Sequence, residues 1–207
     1  RTYDLKPFSQ QEVERRFGAA YERRKDLSAP AAFWHTDIGP LDQLVHVWPY
    51  RDLMERARIQ EAAEKTGVWP PDIGAFVVRM RSDIMIPFPY SPELTPGKMG
   101  PVYEICTHTY VSGHLPAIMQ AWEAALPPRL ELSPLCGLWY SELGGQLYNF
   151  VHIWPYRTLD HRSEVLATSR ARGIWPPEAK AGGGGSSYAL LAQEARILQP
   201  APFSPLQ

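Results

Sequence analysis

Hydrophobic positions along the chain change period in a fixed order, and the order occurs twice. Val13, Phe17, Ala20 and Tyr21 fall at helical spacing behind Ser9, with Glu12 three residues on, which predicts a capping box and a one-sided helix. The period then shortens. Ala32–Ile38 and Leu41–Trp48 read as strands joined at Gly39-Pro40 and closed by Pro49. A second helix is expected over Leu53–Lys65, stopped by Gly67, and a fourth strand over Ala75–Ile86. In the second half, Leu115, Ile118, Met119, Trp122, Ala125 and Leu126 form one apolar stripe, expected to stop before Pro127-Pro128. Strands at Leu138–Leu143 and Gln146–Trp154 follow across Gly144-Gly145, closed by Pro155. A helix over Leu159–Arg170 ends at Gly173, and a strand runs from Tyr188 to Leu198.

The words repeat with the periods. Val45-His46-Val47-Trp48-Pro49-Tyr50-Arg51 returns as Val151-His152-Ile153-Trp154-Pro155-Tyr156-Arg157, 106 positions on (151 − 45). Gly67-Val68-Trp69-Pro70-Pro71 returns as Gly173-Ile174-Trp175-Pro176-Pro177, Trp34 pairs with Trp139, and Ile84–Pro92 pairs with Ile197–Pro205. Such a period is too long for a solenoid and suits a small domain. The glycine-rich stretch Gly182–Ser187 is expected to be a surface loop peculiar to the second half.

With strands at each start, each half reads βαββαβ, the ferredoxin-like order, in which both helices cover one face of an antiparallel sheet. Two such sheets packing face to face would cover the other faces. Alternation is read as turning Val45 and Val47 toward the helices and His46, Trp48 and Tyr50 away from them. In the second half Val151 and Ile153 oppose His152, Trp154 and Tyr156, and Glu104, Cys106 and His108 oppose Tyr103, Ile105 and Thr107. Arg1 and Tyr3 take the places of Cys106 and His108. Polar and aromatic side chains are thus expected to meet between the sheets, and Trp69 and Trp175 to lie away from the core.

Charge removes several classes of partner. Twenty-one basic against 22 acidic residues leave no nucleic-acid footprint, and no apolar run approaches a membrane span of roughly 18 residues. The chain reads as soluble and intracellular, placed in the cytoplasm. Cys106 and Cys136 supply neither a disulfide framework nor a CxxC metal site, and an ordinary buried thiol is the reading for each. No metal or cofactor is assigned, and exposed sheet edges are compatible with a homo-oligomer.

His152-Ile153-Trp154-Pro155-Tyr156 followed by His161-Arg162-Ser163-Glu164-Val165 resembles the strand-to-helix signature of the NIPSNAP family, in the dimeric α+β barrel superfamily. Arg1-Thr2-Tyr3 with Leu5-Lys6-Pro7 resembles its opening strand, and Tyr103-Glu104 the pair that precedes it. The resemblance implies two tandem ferredoxin-like βαββαβ units packed sheet to sheet as an intrachain dimeric α+β barrel. The first repeat is expected over residues 1–92, a linker over 93–101 and the second repeat over 102–207. Glu55-Arg56 stands where the second half has His161-Arg162, so the halves differ chemically. The superfamily spans haem-degrading and quinone-forming monooxygenases, isomerases and proteins without assigned activity, so the resemblance implies a fold and does not choose a chemistry.

His46 and His152 suit a general base or an axial haem ligand, or equally a neutral buried ring bonded to a neighbour. His108 and Tyr3 are the unequal candidates for moving protons. Trp48, Trp154, Glu104, Cys106, Arg1, Tyr50 and Tyr156 are the ligand-binding candidates. Arg162 either binds an anion or pairs with Glu104 or Asp160. The functional expectation is a small apolar or aromatic molecule held in the inter-sheet cavity, with a cofactor-independent monooxygenase or isomerase activity. The alternative is a non-catalytic binding or protein-interaction module.

Overall fold

The computed structural model describes residues 1–177 and 190–207. The Gly182–Ser187 loop and the expected strand start at Tyr188 lie outside the described residues. The elements run β1 (Thr2–Leu5), α1 (Gln10–Arg24), β2 (Ala32–Ile38), β3 (Gln43–Val47), α2 (Leu53–Lys65), β4 (Val77–Arg81) and β5 (Ile84–Pro87). There follow β6 (Val102–Tyr110), α3 (Leu115–Leu130), β7 (Gly137–Leu143), β8 (Asn149–Tyr156), α4 (Leu159–Ala171) and β9 (Leu190–Pro200). They form two compact units. One comprises Arg1–Arg81, Thr95–Lys98 and Gln199–Gln207; the other comprises Ser82–Leu94 and Met99–Leu198.

The first unit has strand order β4-β1-β3-β2, all antiparallel. Its core gathers Tyr3, Leu5, Phe33 and Leu44 from the sheet against Val13 and Phe17 of α1. The C-terminal segment docks on β2: Ala201 N–H donates to the Phe33 carbonyl at 2.9 Å, and Phe33 N–H to Ser204 Oγ at 3.0 Å. The second unit has order β9-β6-β8-β7-β5. There Phe88 N–H donates to the Leu138 carbonyl at 3.0 Å, and Leu138 N–H to Ser91 Oγ at 2.9 Å. The similar strings Ile84–Pro92 and Ile197–Pro205 thus make the same contacts in their respective units. Each unit is completed by a segment from the other half of the sequence. For this reason the expected strand Ala75–Ile86 is two strands, β4 pairing with β1 and β5 with β7.

Local chemistry explains other departures. Ser9 makes no capping bond, its hydroxyl donating instead to the Lys6 carbonyl at 2.6 Å, while Glu12 is taken up by Arg15 and Arg16. The capping box belongs to α2: Asp52 accepts from Glu55 N–H at 2.7 Å and Glu55 accepts from Arg51 N–H at 2.6 Å. In α4 Thr158 accepts from His161 N–H at 3.0 Å, and His161 Nδ1 accepts from Arg157 N–H at 3.2 Å. Glu55 and His161 are therefore alternative residues for one capping task. Pro127 and Pro128 lie inside α3, which continues to Leu130, because their fixed φ is helical even though two backbone donors are lost. Pro155 likewise lies inside β8, which ends at Tyr156. Gly67 and Gly173 adopt the left-handed conformation after α2 and α4, as their positions predict.

Candidate functional site

Alternation along the strands gives the expected parity and the opposite facing. Leu44, on the same side of β3 as His46, packs on α1, and His46 itself stacks on Phe33 at 4.9 Å with Phe17 of α1 at 5.8 Å. Trp48 meets Tyr21 of α1 and Trp69. In the second unit His152 lies 4.7 Å from Trp122 of α3, and Trp154 packs with Trp175 in the core. The histidines and tryptophans placed on the sheet-facing side by the sequence therefore sit between sheet and helices. Trp69 and Trp175 belong to these aromatic clusters and do not stand apart from them.

The two units share a frame. Arg24 of α1 lies over Trp48 and Trp69 at 3.8 and 4.4 Å, and Arg129 of α3 over Trp154 and Trp175 at 4.0 and 5.7 Å. Arg24 donates to Ser28 at 3.3 Å and Arg129 to Ser133 at 2.8 Å. Burial pulls both guanidinium pKa values down, opposed by hydrogen bonds with Tyr50 and Tyr156 respectively. In each unit the tryptophan on β3 or just beyond it, or on β8, donates its indole N–H to the histidine two residues before. Trp48 reaches His46 Nδ1 at 2.6 Å and Trp154 reaches His152 Nδ1 at 2.7 Å. Burial is the main cause that holds both histidines well below the ordinary imidazole pKa, so both rings are neutral. Because an indole only donates, Nδ1 is the acceptor and the proton sits on Nε2.

Beyond that frame the halves diverge. His46 Nε2 is buried without a hydrogen-bond partner among the described residues, and Tyr3 lies beside the ring at 5.4 Å. In the second unit His108 occupies the place of Tyr3, and its Nε2 lies 3.4 Å from His152 Nε2. His108 Nδ1 is 3.3 Å from the Tyr110 hydroxyl. A second cluster lies alongside: Glu104, buried, pairs with Arg162 and accepts from the Tyr156 hydroxyl at 3.3 Å, while Tyr156 accepts from Arg129 at 3.2 Å. Cys106, between His108 and Glu104 on β6, is pushed well up by burial and then by Glu104, so it is a neutral thiol. Arg1, half-buried at the start of the first unit, donates from its backbone nitrogen to the His46 carbonyl at 2.9 Å.

A pocket of about 250 Å³ opens beside this line in the second unit, lined by Tyr110, Leu115, Ile118, Tyr140, Tyr148 and Phe150 among others. Tyr148 holds a left-handed backbone at φ 60°. By the register of the repeat, the same positions in the first unit include Leu5, Val13 and Leu44, all buried in its core. His35, in the place of Tyr140, is taken up by Glu14 at 2.7 Å. Arg129 and Tyr110 were not among the candidates named from the sequence, and Trp122 was placed there only in the apolar stripe of α3. The recurrence of Arg24 and Ser28 as Arg129 and Ser133, at one fixed spacing, was the signal available for the first of them. Among the described residues no cluster of histidine, cysteine, aspartate or glutamate is arranged to hold a metal, and no helix is long and apolar enough to cross a membrane.

The chain is an α+β protein of two ferredoxin-like units, with strand order β4-β1-β3-β2 in the first and β9-β6-β8-β7 in the second. It is similar to a crystal structure described as a putative monooxygenase from Lactobacillus acidophilus, at a TM-score of 0.63 over 95% of this chain and 90% of that one, with 10% identity. At that identity the likeness shows the fold alone. The NIPSNAP family model matches residues 1–92 and 103–205, and the chain belongs to that family. It is 26% identical over 216 residues to the human protein NipSnap homolog 3A, covering all of this chain and 84% of that protein. It is also 33% identical over 90 residues to a NipSnap homolog of Dictyostelium discoideum, covering 42% of this chain and 40% of that protein.

Proposed function

We propose that this protein binds a small apolar or aromatic molecule in the pocket of its second unit and moves a proton on it without a cofactor. The observation that carries the reading is asymmetry: pocket and extra histidine occur together in one unit, while the matching positions of the other are filled. At about 250 Å³ the pocket is just under the roughly 300–1,000 Å³ usual for ligand sites, and its mostly aromatic and aliphatic lining selects a compact ring system. His108 does not itself line the pocket; within hydrogen-bond distance of Tyr110, which does, and of His152, it is the group suited to general acid–base work relayed through the Tyr110 hydroxyl. His152 and Trp154 orient it.

Isomerase and monooxygenase readings share this first step, removal of a proton from the bound molecule. An isomerase returns the proton at another carbon with no change in oxidation state. A monooxygenase would pass the carbanion to dioxygen, one oxygen atom becoming the product carbonyl of a former CH2 group and the other leaving as water. For the first unit, the filled core and the exposed Met54, Val78 and Met80 favour an interaction role. Once a turnover or binding assay is in hand, His108→Ala should abolish its signal with folding preserved, whereas His152→Ala should also lower stability. An inert His108→Ala together with inactive but stable His46 and His152 variants would transfer the role to the duplicated histidines.

A further inference from the structure

The pocket of the second unit is lined by rings that the first unit does not have. Tyr110, Tyr140, Tyr148 and Phe150 stand where the repeat places Leu5, His35, Asp42 and Leu44. The backbone confirms the alignment: Leu5 N–H donates to the Asp42 carbonyl at 2.8 Å, and Tyr110 N–H to the Tyr148 carbonyl at 3.0 Å. Asp42 and Tyr148 both hold the left-handed conformation, at φ 54° and 60°. Aspartate tolerates that backbone and here accepts from Phe8 N–H at 3.1 Å. A bulky tyrosine is disfavoured there, so the second unit bears strain at the one turn position that puts a further ring on the pocket. Tyr110 and Phe150 meet edge to face, 4.7 Å apart at 83°, which sets two walls at about a right angle, and Tyr140 is the direct cross-strand partner of Phe150. Among the described residues that line the pocket, Glu142 is the one charged side chain. It follows Ser141, whose hydroxyl donates to the Gln146 carbonyl at 2.9 Å and accepts from Asn149 N–H at 3.1 Å, bracing the hairpin beside the carboxylate.

Resting on this pocket as the ligand site, we infer that the bound molecule is a cation, a substituted aryl- or alkylammonium held among the four rings and answered in charge by Glu142. Aromatic rings attract a cation through their quadrupole and ask no hydrogen bond of it, which suits an alkylated nitrogen without N–H groups. Such a nitrogen is weakly hydrated and loses little on leaving water, while the carboxylate at the pocket supplies the opposite charge. An anion would meet repulsion from Glu142, and a neutral hydrocarbon would gain burial alone. The first unit keeps an acid at the matching position, Asp37, but has neither the rings nor the space, since Leu5 and Leu44 are packed in its core. One site per chain is expected.

Phenyltrimethylammonium and tert-butylbenzene have the same shape and differ in charge, so their affinities for the full chain test the inference. Phenyltrimethylammonium should bind roughly tenfold more tightly. Glu142→Gln should reduce that preference roughly threefold while tert-butylbenzene binding is retained. Tyr148→Asn removes a ring and supplies a residue suited to the left-handed turn, so affinity for the ammonium should fall roughly fivefold while the urea midpoint holds or rises. A Tyr148→Asn protein that loses stability and keeps its affinity would show a structural role for the ring and overturn the inference. Equal affinities for the two probes, tighter binding of tert-butylbenzene, or a preference unchanged in both variants would overturn the cation assignment and leave the pocket reading standing. Failure of both probes to bind would overturn the pocket reading and this inference with it.

Discussion

Replacing Trp154 separates the packing contribution of the repeated tryptophan from its hydrogen bond. The ring is buried, lies 5.5 Å from Trp175 and carries the Arg129 guanidinium at 4.0 Å, while its N–H reaches His152 at 2.7 Å. Trp154→Ala removes all of these. The cavity and lost transfer free energy come to about 3–5 kcal/mol, and an unsatisfied buried imidazole nitrogen adds about 1–3 kcal/mol. The desolvated cation–π contact is worth about 2 kcal/mol, but these contributions overlap and do not sum. We expect a loss of at least about 4 kcal/mol, or a fall of about 10 °C in Tm for a chain of this size. Trp154→Phe keeps most of the ring and loses the donor, so it should cost about 1–3 kcal/mol. Urea unfolding followed by far-ultraviolet circular dichroism reads both. An Ala variant within about 1 kcal/mol of wild type would show that the ring is not buried. A Phe variant indistinguishable from wild type would remove the hydrogen bond to His152 from the account.

Acid should destabilise the protein earlier than carboxylates alone would. His46 and His152 are held well below the ordinary value of 6.5 by burial, so below that pH the unfolded chain binds protons that the fold refuses. Stability then falls as pH drops through the unfolded value, by up to about 1.4 kcal/mol per pH unit for each ring, and urea midpoints flat between about pH 7.5 and 5 would contradict this. Both thiols should resist Ellman's reagent at about pH 8, since burial pushes Cys136 up to about 12 and Cys106 also well up; rapid labelling of folded protein would count against their burial. A Cβ at Gly137 would overlap the Trp139 indole, so Gly137→Ala should cost about 1–3 kcal/mol, and a neutral variant would show that the ring can move aside.

The order of elements was legible because the period of the apolar pattern changes at each boundary and repeats across the halves. Facing was not. Alternation gives two sides of a strand without saying which meets the helices, and here both sides of β2 and β3 are buried: Phe33, Leu44 and His46 on one, Ala32, Trp34 and Val45 on the other. Aromatic and polar content was taken as the mark of a cavity, yet it marks the helix-facing core, where the imidazoles are neutral and indoles supply their hydrogen bonds. The exchange of Ser82–Leu94 and Gln199–Gln207 into their units was hidden as well, since a strand pattern does not name its partner. The unequal places of His108 and Tyr3 were visible in the sequence. Tyr110 was not singled out, because a tyrosine ending a strand reads as ordinary core until a pocket is seen beside it.

Native mass spectrometry of the freshly purified full chain, beside a Leu115→Trp variant that fills the pocket of the second unit, tests the central claim most directly. The account predicts a bound small molecule in the wild-type protein, absent from the variant at unchanged fold. The same bound mass in both proteins, or none in the wild type, would contradict it.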